Sequence, residues 1–220
     1  TELNHVLDTV RRLAMAHPEI AFSLRDGERQ VLKLSHAQGD IIDARLDRLD
    51  AIMGNDFAAN AIPIETDRDG LFLSGFAGLP TLNRGNASHQ YLFVNGRPVR
   101  DKLLYGAVRG AYRDFLAYDR HPLLALFLDL PPEAVDINVH PAKTEVRFRD
   151  PGLVRGLIVS ALKHALAAAG HRASTTVADA ALGAFRPEIG GVPVSAHRAT
   201  PISRNVSGPA LLFQAPVAQT

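Results

Sequence analysis

One stretch of the chain, residues 135–148, holds a lysine in a setting suited to binding a phosphate. Apolar and polar residues alternate on both sides of this lysine, as in strands with one buried face. The apolar positions change from odd to even numbers along the stretch, so the chain must turn or bulge between them. Lys143 lies in that break, and Pro141 stiffens its approach. Spacing alone leaves two interpretations open: a fixed cation for a phosphate, or a solvated loop lysine, which is the commoner case.

Two segments of the sequence resemble motifs of a known family. Residues 136–148 read DINVHPAKTEVRF, and residues 91–101 read YLFVNGRPVRD. Both resemble motifs of the MutL DNA mismatch-repair family, near the end of its N-terminal ATPase fragment. Motifs of this length and irregularity seldom recur by chance. Together with the surrounding pattern, the resemblance covers residues 1–169.

The resemblance implies a role for Lys143. In the family this region is the transducer domain, similar to that of gyrase B, and the lysine of the DINVHPAKTEVRF motif contacts the γ-phosphate of ATP held by the neighbouring ATPase domain. Lys143 is therefore the expected catalytic and nucleotide-binding residue. The family's catalytic glutamate, magnesium-binding asparagine and glycine-rich lid belong to an earlier domain that this chain does not contain. We therefore expect ATP with magnesium to act in the full-length protein, and this chain alone to bind neither and to be no enzyme.

Basic residues cluster after the YLFVNGRPVRD segment. The helix predicted there has an apolar stripe that includes Val108 and Phe115, and cations on the opposite side. Residues 97–120 carry six cations against three acids, although the whole chain has a net charge of only +1. A basic helix face is usually just solvated, but the resemblance supports DNA contact, since basic residues here line the family's DNA-binding groove. The expected DNA-binding residues are Arg97, Arg100, Lys102, Arg109 and Arg113.

Hydrophobic periodicity outlines the elements that position these residues. It predicts a helix ending near residue 17, a hairpin turning at residues 25–28, a helix over residues 44–53, strands at 61–65, 71–77 and 91–94, a central strand at 123–130, and a helix over 153–169 capped by Gly170. The fold class is α+β: a mixed β-sheet with helices mainly on one face. The resemblance adds a left-handed β-α-β crossover, whereas pattern alone predicts a right-handed one.

The composition limits the other classes of function. The chain has no cysteine, which excludes disulfides and thiolate catalysis, and its nine histidines are scattered, so we predict no metal site. No apolar run is long enough to suggest a membrane span. Residues 170–220 are rich in alanine, proline and serine without a sustained period and are predicted to be a flexible linker after one domain at residues 1–169.

Two hypotheses for function follow. In the first, the chain is a fragment of a MutL-like mismatch repair protein that couples ATP binding and hydrolysis in the missing N-terminal ATPase domain to DNA and partner binding. The resemblance then implies a homodimer in the full-length protein, other mismatch-repair proteins as partners, and a cytoplasmic, nucleoid-associated location. In the alternative, the chain is a freestanding nucleic-acid-binding α+β domain in which Lys143 has no nucleotide role.

Overall fold

The computed structural model describes residues 2–37, 39–137 and 144–184, with side chains up to residue 170. Lys143 therefore lies outside the described residues. Within them, the helices are α1 (Glu2–Ala16), α2 (Ile41–Met53), α3 (Asn55–Ala59), α4 (Lys102–Tyr112) and α5 (Pro151–Ala184). The strands are β1 (Phe22–Asp26), β2 (Arg29–Leu34), β3 (Ala61–Arg68), β4 (Leu71–Gly78), β5 (Asn83–Arg84), β6 (Gln90–Val94), β7 (Arg97–Val99), β8 (His121–Pro122), β9 (Leu124–Asp129), β10 (Val135–Asp136) and β11 (Arg147–Phe148).

A five-stranded mixed sheet in the order β3-β4-β9-β6-β7 forms the centre of the protein. Its neighbouring strands are antiparallel except β6 and β9, which are parallel. Strand β9 lies in the middle, as its continuous apolar run predicts, because both of its faces are buried. The chain passes from β6 through β7 and α4 before it returns to β9, which is the expected β-α-β connection. The α+β class is therefore confirmed, while the left hand of the crossover stays a prediction.

Tight turns join the antiparallel strands at the places that the sequence indicates. Between β6 and β7, Asn95 and Gly96 have φ angles of 47° and 74°. Between β3 and β4, Asp69 and Gly70 have φ angles of 53° and 77°. Asparagine, aspartate and glycine tolerate positive φ better than other residues, so these pairs fix the hairpin geometry.

Helices cover both faces of the sheet, which corrects the prediction that they lie mainly on one. Helices α4 and α5 pack on the face that carries Leu92, Leu126 and Leu128. Helices α1, α2 and α3 contribute core residues to the other face, which carries Phe93 and Phe127. The rings of Phe93 and Phe127 stack with centroids 4.5 Å apart. Strands β6 and β9 place apolar residues on both faces of the sheet. Helices must therefore bury each face.

Helix α5 is longer than predicted. It continues through Gly170 to Ala184, so Gly170 is not its C-cap, and it enters the segment predicted to be a linker. Alanines on both sides of Gly170 favour the helix and outweigh the cost of one glycine. Residues 185–220 lie outside the described part of the chain, and the domain boundary at residue 169 stays a prediction.

The first part of α5 also corrects the expectation that no apolar run is long enough to cross a membrane. By length and composition alone, Pro151–Gly170 is the one described helix that could span a membrane. One side of it is nevertheless buried in the core beneath the sheet, and we interpret α5 as a core helix. Its buried residues are Val154, Leu157, Ile158, Leu162 and Leu166.

The first hairpin and the end of α4 complete the description of the fold. The hairpin β1–β2 forms a sheet of its own and does not join the five-stranded sheet. Phe115 lies beyond the last residue of α4 and is 44% exposed, so it does not extend the buried stripe of that helix. Its N–H bonds the carbonyl of Tyr112 in a turn. The helical spacing used for the prediction no longer applies there.

Candidate nucleotide and DNA interface

Asn95 holds Leu130, which follows β9 directly and lies thirteen residues before Lys143. The side-chain amide of Asn95 donates to the carbonyl of Leu130 over 3.0 Å, and its side-chain oxygen accepts from the N–H of Leu130 over 2.9 Å. The backbone N–H of Asn95 also donates to the carbonyl of Leu128 over 3.0 Å. Asn95 is thus both a turn residue and a clamp on Leu130. The Asn95-Gly96 pair is typical of a tight turn, but nothing in the sequence indicates the contact with Leu130.

Thr144, the residue after Lys143, is hydrogen-bonded to the YLFVNGRPVRD segment. The backbone N–H of Arg100 donates to the carbonyl of Thr144 over 2.7 Å. Strands β10 and β11 pair on either side of the segment, with Val135 opposite Phe148. The described residues that flank Lys143 are therefore fixed next to the β6–β7 turn and the start of α4, which brings the two sequence motifs together.

Asp101 starts helix α4 directly after β7. Its buried side chain accepts hydrogen bonds from the N–H groups of Leu103 and Leu104 over 2.9 and 3.2 Å. This is N-capping by aspartate, which satisfies helix N–H groups that have no partner within the helix. The cap fixes the backbone of the first turn of α4, which carries the exposed side chain of Lys102.

A groove of about 760 Å³, here called the α4 groove, runs along the exposed side of α4. The loop after α4 forms its other wall. All charged residues among those that line it are cations: Lys102, Arg109, Arg113 and Arg120. Three tyrosines, Tyr105, Tyr112 and Tyr118, also line it. Three of the expected DNA-binding residues, Lys102, Arg109 and Arg113, are thereby brought together.

Arg109 is held in place within the α4 groove. Its guanidinium donates to the carbonyl of Tyr118 over 3.0 Å and lies 3.9 Å from the centroid of the Tyr118 ring. Tyr118 itself is 84% exposed. Sequence reasoning missed Tyr118, because an exposed aromatic in a loop without periodicity gives no signal until its contact with Arg109 is known.

Arg97 and Arg100 do not line the α4 groove. Arg97 is exposed at the start of β7. The Nη2 atom of Arg100 lies 2.6 Å from Oδ2 of Asp8, which also pairs with Nε of Arg12 at 2.9 Å. Burial raises the pKa of Asp8, but hydrogen bonds and charges from Arg12 and Arg100 outweigh it and hold that pKa below its ordinary value. Arg100 therefore already has an anionic partner.

The mixed sheet and the helices on its two faces define an α+β domain with an adjoining basic groove. A solved structure described as the N terminal domain of a DNA repair protein has a TM-score of 0.60 over 74% of this chain and 52% of that chain, and at 18% identity it shows a shared fold. The family model for the C-terminal domain of DNA mismatch repair proteins matches residues 49–167, which is more than half of the chain. The chain belongs to this family, and the resemblance to MutL is confirmed.

Two MutL proteins are at least 65% identical to the chain. That of Rhodospirillum rubrum is 66% identical over 194 residues, which cover 88% of this chain and 31% of that protein. That of Phenylobacterium zucineum is 65% identical over 184 residues, which cover 83% of this chain and 29% of that protein. The chain therefore spans about three tenths of the length of these relatives. These matches do not favour a freestanding nucleic-acid-binding domain.

Proposed function

We propose that this chain couples the nucleotide state of a neighbouring ATPase domain to DNA binding in a MutL-type mismatch repair protein. One observation carries the proposal: the N–H of Arg100, which leads into α4, donates to the carbonyl of Thr144, the residue next to Lys143. The same helix lines the basic α4 groove. A change at the Lys143 segment therefore acts on α4 through short, direct contacts.

Lys143 supplies positive charge to the γ-phosphate of ATP in this proposal. A preorganised cation there stabilises the charge that develops on the transferring phosphoryl group. The described residues contain no group of three or more histidines, cysteines, aspartates or glutamates that could hold a metal ion. We accordingly assign magnesium and the adenine end of ATP to the ATPase domain of the full-length protein, and this chain alone should turn over no ATP.

DNA binds along the α4 groove in the same proposal. Lys102 and Arg113 are exposed and offer their charges to phosphates, while Arg109 is presented in a fixed orientation by Tyr118. Arg97 and Arg100 extend the basic surface toward β7, although Arg100 must share its charge with Asp8. The full-length protein is proposed to be a homodimer that works with other mismatch-repair proteins at the nucleoid in the cytoplasm.

The first test is Lys143→Ala in the full-length protein, with Lys33→Ala as the matched control. Lys33 is exposed on β2, and its removal should alter stability by only about half a kcal/mol. Loss of a preorganised charge at the γ-phosphate should lower ATP turnover by about 100-fold or more while the thermal midpoint stays close to that of the parent. Parental turnover in a folded Lys143→Ala protein would show that this lysine is a solvated charge.

The second test is Lys102→Glu in the full-length protein, with Lys33→Glu as the control for the same change of charge. DNA affinity should fall, and the slope of log K against log salt should decrease by about 0.9 for one lost phosphate contact. The fold should persist, because Lys102 is exposed. Equal affinity and slope for Lys102→Glu and Lys33→Glu across a salt titration would contradict DNA binding in the α4 groove.

A further inference from the structure

A second groove, here called the α4–α5 groove, lies between the end of α4 and the first turns of α5. It has a volume of about 560 Å³, and its charged lining residues are three cations and one acid. The cations are Arg113, Arg155 and Lys163, and the acid is Asp114. The DNA-binding residues expected from the sequence include Arg113 but neither Arg155 nor Lys163.

The charges of the α4–α5 groove remain available to an anion. Arg155 is exposed and forms no ion pair with any side chain in the described part of the chain. Nζ of Lys163 lies 2.8 Å from Oδ2 of Asp114, and this hydrogen bond and the charge of Lys163 lower the pKa of Asp114. Both side chains of that pair are exposed, and an ammonium group has three donors, so Lys163 can bind a second acceptor. The groove therefore offers more positive charge than its own residues neutralise.

Glycines leave the helix surface bare on both sides of this groove. Gly110 lies on α4, and Gly156 lies on α5. A Cβ atom added at Gly156 would meet nothing within 4 Å, and one added at Gly110 would meet only Cγ2 of Val159 at 3.9 Å. Packing thus requires neither glycine, although glycine within a helix is destabilising relative to alanine. The bare backbone permits close approach by a chain from outside.

The α4–α5 groove adjoins the α4 groove, because Gly110 and Arg113 line both. We propose that the α4–α5 groove binds the sugar-phosphate backbone of DNA as a continuation of the α4 groove. The inference rests on the proposed function and adds Arg155 and Lys163 to its DNA contacts. The combined surface carries six cations and one acid, which is complementary to a polyanion. The six cations are Lys102, Arg109, Arg113, Arg120, Arg155 and Lys163.

The test is Arg155→Glu in the full-length protein, with Arg25→Glu on the hairpin as the control. Binding of a fluorescein-labelled DNA duplex is followed by anisotropy from low to high salt. Each phosphate contact makes the binding constant depend on salt concentration to a power of about −0.9. Losing one contact should therefore lower affinity roughly 8-fold at 0.1 M salt and reduce the slope of log K against log salt by about 0.9. Lys163→Gln, which reverses no charge, should produce a smaller loss in the same direction.

Lys102→Glu separates the failure of this inference from that of the proposed function. If Lys102→Glu weakens DNA binding and Arg155→Glu matches Arg25→Glu, DNA does not reach the α4–α5 groove and the inference is overturned. If neither variant weakens binding, the proposed DNA function itself fails. If Arg155→Glu spares DNA binding but abolishes binding of labelled polyglutamate, the groove accepts an acidic polypeptide, which also overturns the inference.

Gly156→Ala gives a second test, in which the thermal midpoint should rise while DNA affinity falls. The added methyl group has space and removes a helix-interior glycine, so the thermal midpoint should rise. DNA affinity should fall several-fold, because the methyl group would stand where the DNA backbone approaches the helix. A raised midpoint with unchanged affinity would contradict close approach at this face.

Discussion

Replacing Asn95 separates its two roles, the turn and the clamp on Leu130. Asn95→Gly keeps the ability to adopt a φ of 47° but removes both side-chain hydrogen bonds to Leu130. Each such bond contributes about 0.5–1.5 kcal/mol net, so the free energy of unfolding should fall by about 1–3 kcal/mol. Asn95→Ala should cost roughly 1 kcal/mol more, because alanine is strained at positive φ. Asn95→Asp keeps the acceptor for the Leu130 N–H, but its second carboxylate oxygen cannot donate and would face the Leu130 carbonyl, so this variant should also be less stable than the parent.

Urea unfolding followed by circular dichroism measures these differences, with amide exchange as the local readout. The N–H of Leu130 should exchange faster in Asn95→Gly and Asn95→Ala than in Asn95→Asp, since only the aspartate keeps its acceptor. If Asn95→Gly unfolds within about half a kcal/mol of the parent, which is the usual range for surface changes, the bonds to Leu130 do not stabilise this region. The inference that Asn95 anchors the chain at Leu130 would then be wrong.

Two further substitutions test the packing of the sheet and the charges around α1. Gly75 has a φ of 133°, and a Cβ there would overlap the carbonyl oxygen of Ala125 on β9, so Gly75→Ala should lower the thermal midpoint by about 10 °C or more or prevent folding. Asp8→Asn should lose the contribution of the pairs with Arg12 and Arg100, about 1 kcal/mol near pH 7. Because the folded pKa of Asp8 is depressed, this contribution is present above its ordinary value of 3.8 and is lost as the pH falls through the folded value. Urea unfolding at pH 7 and pH 2.5 should therefore show a difference between Asp8→Asn and the parent that shrinks in acid.

Local chemistry accounts for the parts of the fold that the sequence predicts well. The apolar run that contains β9 marks a strand buried on both faces, since a strand with one exposed face alternates with polar residues. Asn95 and Gly96 predict the turn because few other residues adopt positive φ without strain. Lys102, Arg109 and Arg113 fall on one side of a helix by its period of 3.6 residues. Each of these inferences needs only neighbours along the chain.

Long-range contacts explain what the sequence could not predict. Arg48 is 2% exposed, and its guanidinium donates to four backbone carbonyls, each well separated from it in sequence. Its acceptors are the carbonyls of Ala14, Pro18, Ile20 and Ser35. Arg48 thus links α1, the residues on either side of the hairpin, and α2. The sequence alone would predict an exposed side chain, because most arginines lie on the surface. The stacking of Arg109 on Tyr118 likewise depends on the path of a loop without periodicity.

The hydrogen bonds around β7 suggest why the two motifs of this family occur on one domain. Arg100 bonds Thr144 on one side and is followed directly by Asp101, whose side chain fixes the first turn of α4. Lys102, the next residue, lines the α4 groove. A displacement of Thr144 therefore acts within two residues on a cation of the α4 groove. Because the Asp101 side chain is buried and accepts from two N–H groups of α4, a shift of Arg100 moves the start of α4 or breaks the cap. Coupling by this path requires no rearrangement of the sheet beneath it.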